Sequence, residues 1–233
     1  MKWEPPGLQG KRKRGAEKPR ADSRGMSITT FGDNLTAVAF SNGICRIFSI
    51  HDTVATVLCD FIISHGHCPW KVVSDSQFLY SIDTGGNLSI FDLNHLVTST
   101  SPPPTPICTK RLDEGGLNAI CIRSGCTDDS VDIFVGGDAG VVYYLTFTIF
   151  KSILNIVNSV ACSTCGLTNL LLTSSNELAA LSIDQRILLF SADKKLKYNR
   201  GLLSFVADAS DFILLNDEFV VVGHGMENIS IHD

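Results

Sequence analysis

Charged residues are scarce in this sequence: Asp, Glu, Lys and Arg make up 18% of the 233 residues, whereas hydrophobic residues make up 44%. This composition excludes a chain that is disordered throughout and is typical of a folded, β-rich body. The most apolar stretch, Val141 to Val157, is interrupted by Lys151 and Ser152 and is rich in β-branched residues. It is too short for a membrane span, so it predicts two buried strands and no membrane segment.

Catalytic motifs are also missing. The sequence has no Gly-x-Ser-x-Gly elbow, no phosphate-binding loop and no dinucleotide-binding glycine pattern that opens a helix. Its glycine-rich turns join one predicted strand to the next, so they lack the helix N-terminus that would hold a phosphate. An α/β pattern typical of S-adenosylmethionine enzymes is absent as well. We therefore expect no enzyme, no cofactor and no small-molecule substrate.

The cysteines do not form a convincing metal site. Eight of them are scattered through apolar segments: Cys45, Cys59, Cys68, Cys108, Cys121, Cys126, Cys162 and Cys165. The spacing of Cys162 and Cys165 fits a metal pair, but zinc requires four ligands and Cys121 with Cys126 is the only other close pair. His65–Cys68 is a second candidate cluster, whose Gly-His more often makes an internal hydrogen bond. We expect no metal site, and cysteines that act as small buried hydrophobes.

The first 25 residues differ from the rest of the chain. They contain eight Lys and Arg against three acids and are interrupted by proline and glycine, which predicts a disordered basic tail over residues 1–25. The remaining residues hold 11 Lys and Arg against 21 Asp and Glu, a net charge of −10. Within the tail, Lys11, Arg12, Lys13 and Arg14 form either a nuclear import signal or a solvated charge run. Because no secretory signal is visible, we expect a cytoplasmic protein, with a nuclear pool if this run is an import signal.

From Met26 onward one phrase recurs: an apolar run, a turn rich in Gly, Asp or Asn, and a second apolar run. The paired runs are Leu35–Phe40 with Ile44–Ile50, Phe78–Ile82 with Leu88–Leu93, Val131–Val135 with Val141–Phe147, Glu177–Ile183 with Ile187–Ser191, and Glu218–Val222 with Asn228–His232. The turns lie near residues 42, 84, 138, 185 and 225, at intervals of 42, 54, 47 and 40 residues. The longest interval contains a Ser/Thr/Pro stretch that predicts an inserted surface loop.

Repeats of this length built from short strands predict a β-propeller of degenerate WD repeats with about five blades over residues 26–233. One four-stranded blade cannot bury both of its apolar faces alone, so the blades must stack on one another. The turn aspartates Asp83, Asp138 and Asp184 are predicted to accept backbone N–H bonds and to be structural. Little helix is expected, because no 3.6-residue period is sustained.

The second half of the chain carries further motifs at blade spacing. They are Glu114–Ile120, Gly136–Asp138, Gly166–Thr168, Ser182–Arg186, Val206–Asp208 and Val222–Glu227. In this order, residues 110–233 resemble the C-terminal blades of the large WD-repeat proteins that partner the tRNA ribose 2′-O-methyltransferase acting at the anticodon wobble position. Ser-x-Asp-Gln-Arg followed by an apolar run is the more specific motif. The resemblance implies a non-catalytic subunit that helps the methyltransferase to engage its tRNA.

The resemblance leaves two alternatives open, because members of that family are long chains with several propellers. This chain is either a truncated product that covers the C-terminal propeller of a larger protein, or a chain that shares only a common blade type. A function without RNA also stays open, namely a general scaffold for protein–protein interactions.

A second basic cluster interrupts the acidic body. Lys194, Lys195, Lys197 and Arg200 surround Tyr198, a combination that can contact RNA phosphates and stack on a base. The alternative interpretation is a soluble loop between two blades. The sequence thus predicts a possible RNA or partner contact at these five residues.

Overall fold

The computed structural model describes residues 23–98, 104–127, 129–204, 209–215, 218–223 and 229–232, of which 98, 124–127, 223 and 229–232 are described by their backbone alone. These residues form five antiparallel sheets, and within each sheet the strands follow one another in chain order. In these described ranges, helix is limited to α1 (Leu93–Thr98) and one 3-10 turn, Ile149–Lys151. The prediction of an all-β chain with little helix is confirmed.

The first sheet contains β1 (Gly25–Phe31), β2 (Leu35–Phe40), β3 (Ile44–His51) and β4 (Val54–Ile62). The second contains β5 (Pro69–Ser74), β6 (Phe78–Asp83), β7 (Asn87–Asp92) and β8 (Cys108–Arg111). The third contains β9 (Leu117–Thr127), β10 (Ser130–Gly137), β11 (Val141–Thr148) and β12 (Ile153–Ala161). The fourth contains β13 (Leu167–Leu172), β14 (Glu177–Ser182), β15 (Arg186–Ser191) and β16 (Tyr198–Leu203). The fifth contains β17 (Ala209–Leu215), β18 (Glu218–Gly223) and β19 (Ile229–His232).

The five predicted hairpins are the second and third strands of the five sheets, so their positions are confirmed. The Asn42-Gly43 turn shows why this signal is strong. Gly43 has φ +86°, and a Cβ added there would lie 2.4 Å from the carbonyl oxygen of Ser64. The Asn42 side chain accepts a hydrogen bond from the backbone N–H of Ile44 at 3.2 Å. Only glycine combines the left-handed conformation with this close approach of two backbones.

The prediction that Val141 to Val157 forms two buried strands is wrong for the second strand. β11 is largely buried, but β12 is mostly exposed, with Ile153 and Ile156 exposed to 46% and 44%. β12 is the last strand of its sheet and pairs on one side only, with β11. Apolar residues on such an outer strand are not covered on the side that faces away from the sheet.

Successive sheets pack face to face through apolar clusters. Phe61 of the first sheet meets Phe91 of the second with ring centroids 5.2 Å apart, and Phe78 of the second meets Phe147 of the third at 5.4 Å. Two further clusters join the third sheet to the fourth and the fourth to the fifth. The sheets are therefore stacked as blades, and we refer to them as blade one to blade five.

No apolar cluster joins blade five to blade one in the described part of the chain. Ile28 of blade one and Ile213 of blade five belong to neither of the clusters at their blade interfaces and are exposed to 67% and 57%. Each terminal blade thus has one apolar face without a described cover. The four described interfaces hold the five blades in chain order.

The strand order defines two faces of the propeller. One face, the cavity face, carries the links between blades and the turns that join second to third strands. The opposite face carries the turns that join first to second and third to fourth strands. The first strands of successive blades contact one another, so they lie innermost. A six-residue strand such as β15 separates the two faces by about 20 Å.

Candidate functional site

A cavity of about 470 Å³ opens where the first strands of blades two to five begin on the cavity face. Its volume is within the range of ligand-binding clefts. The lining side chains come from strand starts and from the turns between second and third strands. They are Trp70, Thr84, Asn118, Asp138, Thr168, Ile183, Ala209 and Ser210.

The same backbone irregularity occurs at the second residue of every first strand. The register between first and second strands shifts at Met26, Trp70, Asn118, Thr168 and Ser210, so each of these residues is bulged. A bulge bends the strand and redirects a side chain. Four of the five bulged residues line the cavity. The repeated bulge therefore builds the cavity wall, one residue from each blade, and sequence periodicity gave no signal for it.

Asp138 is the ionisable group of the cavity wall. Its Oδ1 accepts a hydrogen bond from Nδ2 of Asn118 at 2.7 Å, and its Oδ2 accepts one from the backbone N–H of Gly116 at 3.0 Å. These bonds fix the carboxylate, although Asp138 remains exposed. The predicted turn residue therefore also presents an oriented negative charge to the cavity.

Asp83, the corresponding residue of blade two, is only 5% exposed. Its carboxylate accepts hydrogen bonds from the backbone N–H groups of Gly85 and Asn87 at 2.9 and 3.0 Å, and from the hydroxyl of Ser64 at 2.7 Å. Ser64 belongs to the link that precedes β5, so Asp83 ties its turn to that link.

Asp184, the corresponding residue of blade four, is paired with Arg186 two residues later. The hydrogen bond from the Arg186 guanidinium lowers the pKa of the Asp184 carboxyl, and its partial burial opposes this shift. The three aspartates lie on different blades at equivalent positions, and each has its own internal partners.

The basic cluster is not a loop between blades, as one interpretation of the sequence had it. Lys194, Lys195 and Lys197 lie in the turn from β15 to β16, and Tyr198 and Arg200 lie in β16, the outer strand of blade four. The reason is that the turn after β15 closes within the blade: the backbone N–H of Ser191 donates to the carbonyl of Lys197 at 2.8 Å. The cluster is therefore on the opposite face and outer edge, away from the cavity.

The side chains of this cluster are exposed, and the turn beneath them is held firmly. Leu196 is 1% exposed and anchors the turn in the core, and Nδ2 of Asn158 donates to the Lys195 carbonyl at 2.9 Å. Tyr198 is 52% exposed, and its ring meets Phe190 edge to face at 5.7 Å. The structure thus brings the five predicted residues together as one exposed strip.

The described cysteine thiols have no disulfide partner. Burial raises the pKa of Cys45 and of Cys121 to about 12, and that of Cys162 to about 11. Because the thiolate is the nucleophile and the metal ligand, these thiols are poorly suited to either role at neutral pH. Among the residues with described side chains, no three His, Cys, Asp or Glu are grouped so that they could hold a metal ion.

His65–Cys68 forms the link that leads into β5. The imidazole of His67 lies against Gly85, where an added Cβ would be 2.4 Å from the ring. The backbone N–H of Cys68 donates to the hydroxyl of Thr84 at 3.1 Å. This link packs onto the turn of blade two.

The basic run Lys11, Arg12, Lys13 and Arg14 lies outside the described residues, as does nearly all of the predicted tail. Within the described ranges, no helix is long and apolar enough to cross a membrane.

Comparison with known proteins identifies the fold and nothing narrower. No protein-family profile and no curated protein matches the chain. A solved structure titled "Crystal Structure of Mitotic Checkpoint Complex" contains a similar chain, with a TM-score of 0.67 and 16% identity over 85% of this chain and 57% of that one. A computationally designed protein, Ika4, is similar over 73% of this chain and 92% of its own, with a TM-score of 0.55 and 11% identity.

This chain therefore spans little more than half of the mitotic-checkpoint chain that it resembles. At such low identities the likeness defines the architecture alone, which is a β-propeller with about five blades.

Proposed function

We propose that this chain is a non-catalytic WD-repeat scaffold that partners a tRNA 2′-O-ribose methyltransferase acting at the wobble nucleotide. The observation that carries this proposal is the order of motifs between residues 110 and 233, which resembles the C-terminal blades of that family's scaffold subunit. The exposed strip on blade four supports an RNA contact. In this proposal the enzyme supplies the chemistry, and the propeller supplies the docking surface.

The strip has the composition that an RNA contact requires. It contains four cations, Lys194, Lys195, Lys197 and Arg200, against two neighbouring carboxylates, Asp193 and Glu177. Cations neutralise phosphates, and an exposed tyrosine ring can stack on an unpaired base. The rest of the folded body is acidic, so an RNA would be attracted to this strip and repelled elsewhere.

Charge reversal of Lys195 tests the RNA contact. We expect Lys195→Glu to weaken binding of the chain to tRNA and to reduce the slope of log K against log salt by about one, the value for one lost phosphate contact. Lys151→Glu is the matched control, because Lys151 is exposed in the equivalent turn of blade three on the same face. Equal effects of both substitutions, or no effect of Lys195→Glu, would remove the strip as an RNA site.

A general protein-interaction scaffold without an RNA role is the second candidate function. The cavity favours this second function. It lies on the cavity face and is separated by the length of a strand from the basic strip on the opposite face, so a protein that docks at the cavity does not need the strip. Purification of the full chain from cells, followed by identification of the bound proteins and RNA, separates the two. Recovery of a methyltransferase together with tRNA supports the first function, whereas protein partners without tRNA support the second.

We further propose a cytoplasmic location, with Lys11, Arg12, Lys13 and Arg14 acting as an import signal for a nuclear pool. Exchange of these four residues for alanine in a fluorescent fusion of the full chain should abolish the nuclear pool. An unchanged distribution would show that the run is a solvated tail.

A further inference from the structure

We infer that the central cavity accepts the guanidinium group of an arginine presented by a protein partner. This inference rests on the scaffold role proposed above, but not on the RNA contact, which involves the opposite face. Three features carry it: an apolar wall, one oriented carboxylate, and a surrounding face with an excess of acidic groups.

The apolar wall suits the stem and the flat head of an arginine. Trp70 and Ile183 line the cavity and are exposed to 43% and 45%, which is unusual for large apolar residues at the centre of a fold. A guanidinium stacks on an indole ring, and the methylene groups of the stem can lie along an isoleucine. An exposed tryptophan is also the residue type that is enriched at the centre of protein interfaces.

The carboxylate is oriented and still has room for a ligand. Asp138 uses one lone pair on each oxygen for its bonds to Asn118 and Gly116. A carboxylate offers about four acceptor sites, so one on each oxygen is left for the two parallel N–H groups of a guanidinium. Because the internal bonds already hold the group in place, little ordering entropy is lost when a ligand binds. A lysine ammonium lacks the two parallel N–H groups of a guanidinium, so it would fill only part of the two free acceptor sites of Asp138.

The charge of the cavity selects a cation. Asp138 is the one charged residue among the lining residues that are described. Lys71, which follows Trp70 in the chain, is engaged by Asn169 at 2.5 Å. Carboxylates on the described part of the cavity face outnumber its guanidinium groups: Asp83, Asp113, Glu114, Asp138 and Asp184 against Arg24, Arg111 and Arg186. A basic segment would be steered toward this face, and a phosphate group would be repelled.

Fluorescence of Trp70 provides a direct test. The chain has two tryptophans, Trp3 and Trp70, so Trp3→Phe leaves Trp70 as the sole reporter. Titration of this full-length variant with N-acetyl-Ala-Arg-Ala-amide should give a saturable change in emission, with a Kd of roughly millimolar order for so small a ligand. The lysine peptide should bind more weakly, and the glutamine peptide should not saturate.

Three substitutions in the Trp3→Phe background test the geometry. Asp138→Asn should weaken binding of the arginine peptide by roughly tenfold or more, because a charge-assisted pair is lost. Glu114→Gln, an equal change of charge on an exposed residue of the same face, should change the affinity by less than about twofold. Ile183→Lys, on a side chain exposed to 45%, should abolish binding by repulsion at the mouth while leaving the circular-dichroism spectrum unchanged.

Two results would overturn the inference: no saturable signal with the arginine peptide, or saturation with adenosine monophosphate and not with arginine. The second result would assign the cavity to a base instead of a protein side chain. Either failure leaves the co-purification experiment above unaffected, because a partner can dock on the propeller without using this cavity. Failure of co-purification combined with success of the peptide titration would instead refute the proposed partner and retain the cavity.

Discussion

The ammonium group of Lys71 in blade two donates a hydrogen bond to the side-chain carbonyl of Asn169 in blade four, with Nζ 2.5 Å from Oδ1. The amide nitrogen of Asn169 continues this chain to the carboxylate of Asp211 in blade five. Burial lowers the pKa of Lys71, and the charge of Asp211 opposes this shift. Three blades are thus joined by polar groups on their innermost strands.

Removal of Asn169 should destabilise the propeller. Asn169→Ala leaves a largely buried ammonium without its acceptor, and we expect a loss of about 1–3 kcal/mol in the free energy of unfolding. In Lys71→Met the buried charge itself disappears. The double variant should therefore lose less than the sum of the two single variants. Urea denaturation of the four proteins measures the coupling, and strictly additive losses would show that the bond has no energetic role.

The turn aspartates should differ in their contribution to stability. Asp83→Ala removes the acceptor of three or more hydrogen bonds at a side chain that is 5% exposed, so we expect a loss of about 2–4 kcal/mol. Asp138→Ala acts on an exposed carboxylate and should cost less than about 1.5 kcal/mol. Thermal or urea unfolding of both variants decides the order. A larger loss for Asp138→Ala would contradict the environments that the structure assigns to these residues.

Stacking of blades two and three can be tested on a pair of phenylalanines. Phe147 is fully buried against Phe78 of the neighbouring blade, whereas Phe150, three residues later, is exposed to 70%. Phe147→Ala should lower the free energy of unfolding by about 3–5 kcal/mol, because a large cavity opens between the blades. Phe150→Ala should stay within about 0.5 kcal/mol of the parent chain. Similar losses for the two substitutions would mean that the blades are not stacked in this way.

Stability should decrease at alkaline pH in part because of Cys45. Burial raises the pKa of this thiol from 9.0 to about 12. Between these values the unfolded chain loses the proton and the native chain keeps it. The stabilisation is therefore complete below pH 9 and is lost as the pH rises toward 12. Cys45→Ala should reduce the slope of stability against pH by up to about 1.4 kcal/mol per pH unit. Equal slopes for the two proteins between pH 9 and 10 would refute the assignment to Cys45.

Local signals in the sequence predicted the hairpins well, because a residue pair such as Asn42-Gly43 fixes the conformation of its own turn. The outer strands were harder to predict. The composition of β12 is apolar, like that of a buried strand. It is nevertheless exposed, because it is the outer strand of its sheet as described. The sequence does not place Lys194 within blade four for a similar reason, since the hydrogen bond between Ser191 and Lys197 that closes the turn leaves no pattern in the sequence.

The cavity could not be predicted from the sequence at all. Trp70, Asn118 and Thr168 are of different residue types, and what they share is a bulge at the second position of a first strand. A bulge is a property of strand pairing, and the cavity needs several blades to meet at one point. Trp70, Asn118 and Thr168 are each more than 40 positions apart in the sequence, and packing between their strands brings them to one cavity.

Reconstitution of wobble-nucleotide methylation tests the central claim most directly. The methyltransferase recovered with the chain is incubated with tRNA and S-adenosylmethionine, alone and with the purified chain. We predict that the chain alone forms no 2′-O-methyl product, that it stimulates the enzyme, and that Lys195→Glu reduces the stimulation while Lys151→Glu does not. Methylation by the chain alone, or full activity of the enzyme without it, would contradict a non-catalytic scaffold that brings enzyme and tRNA together.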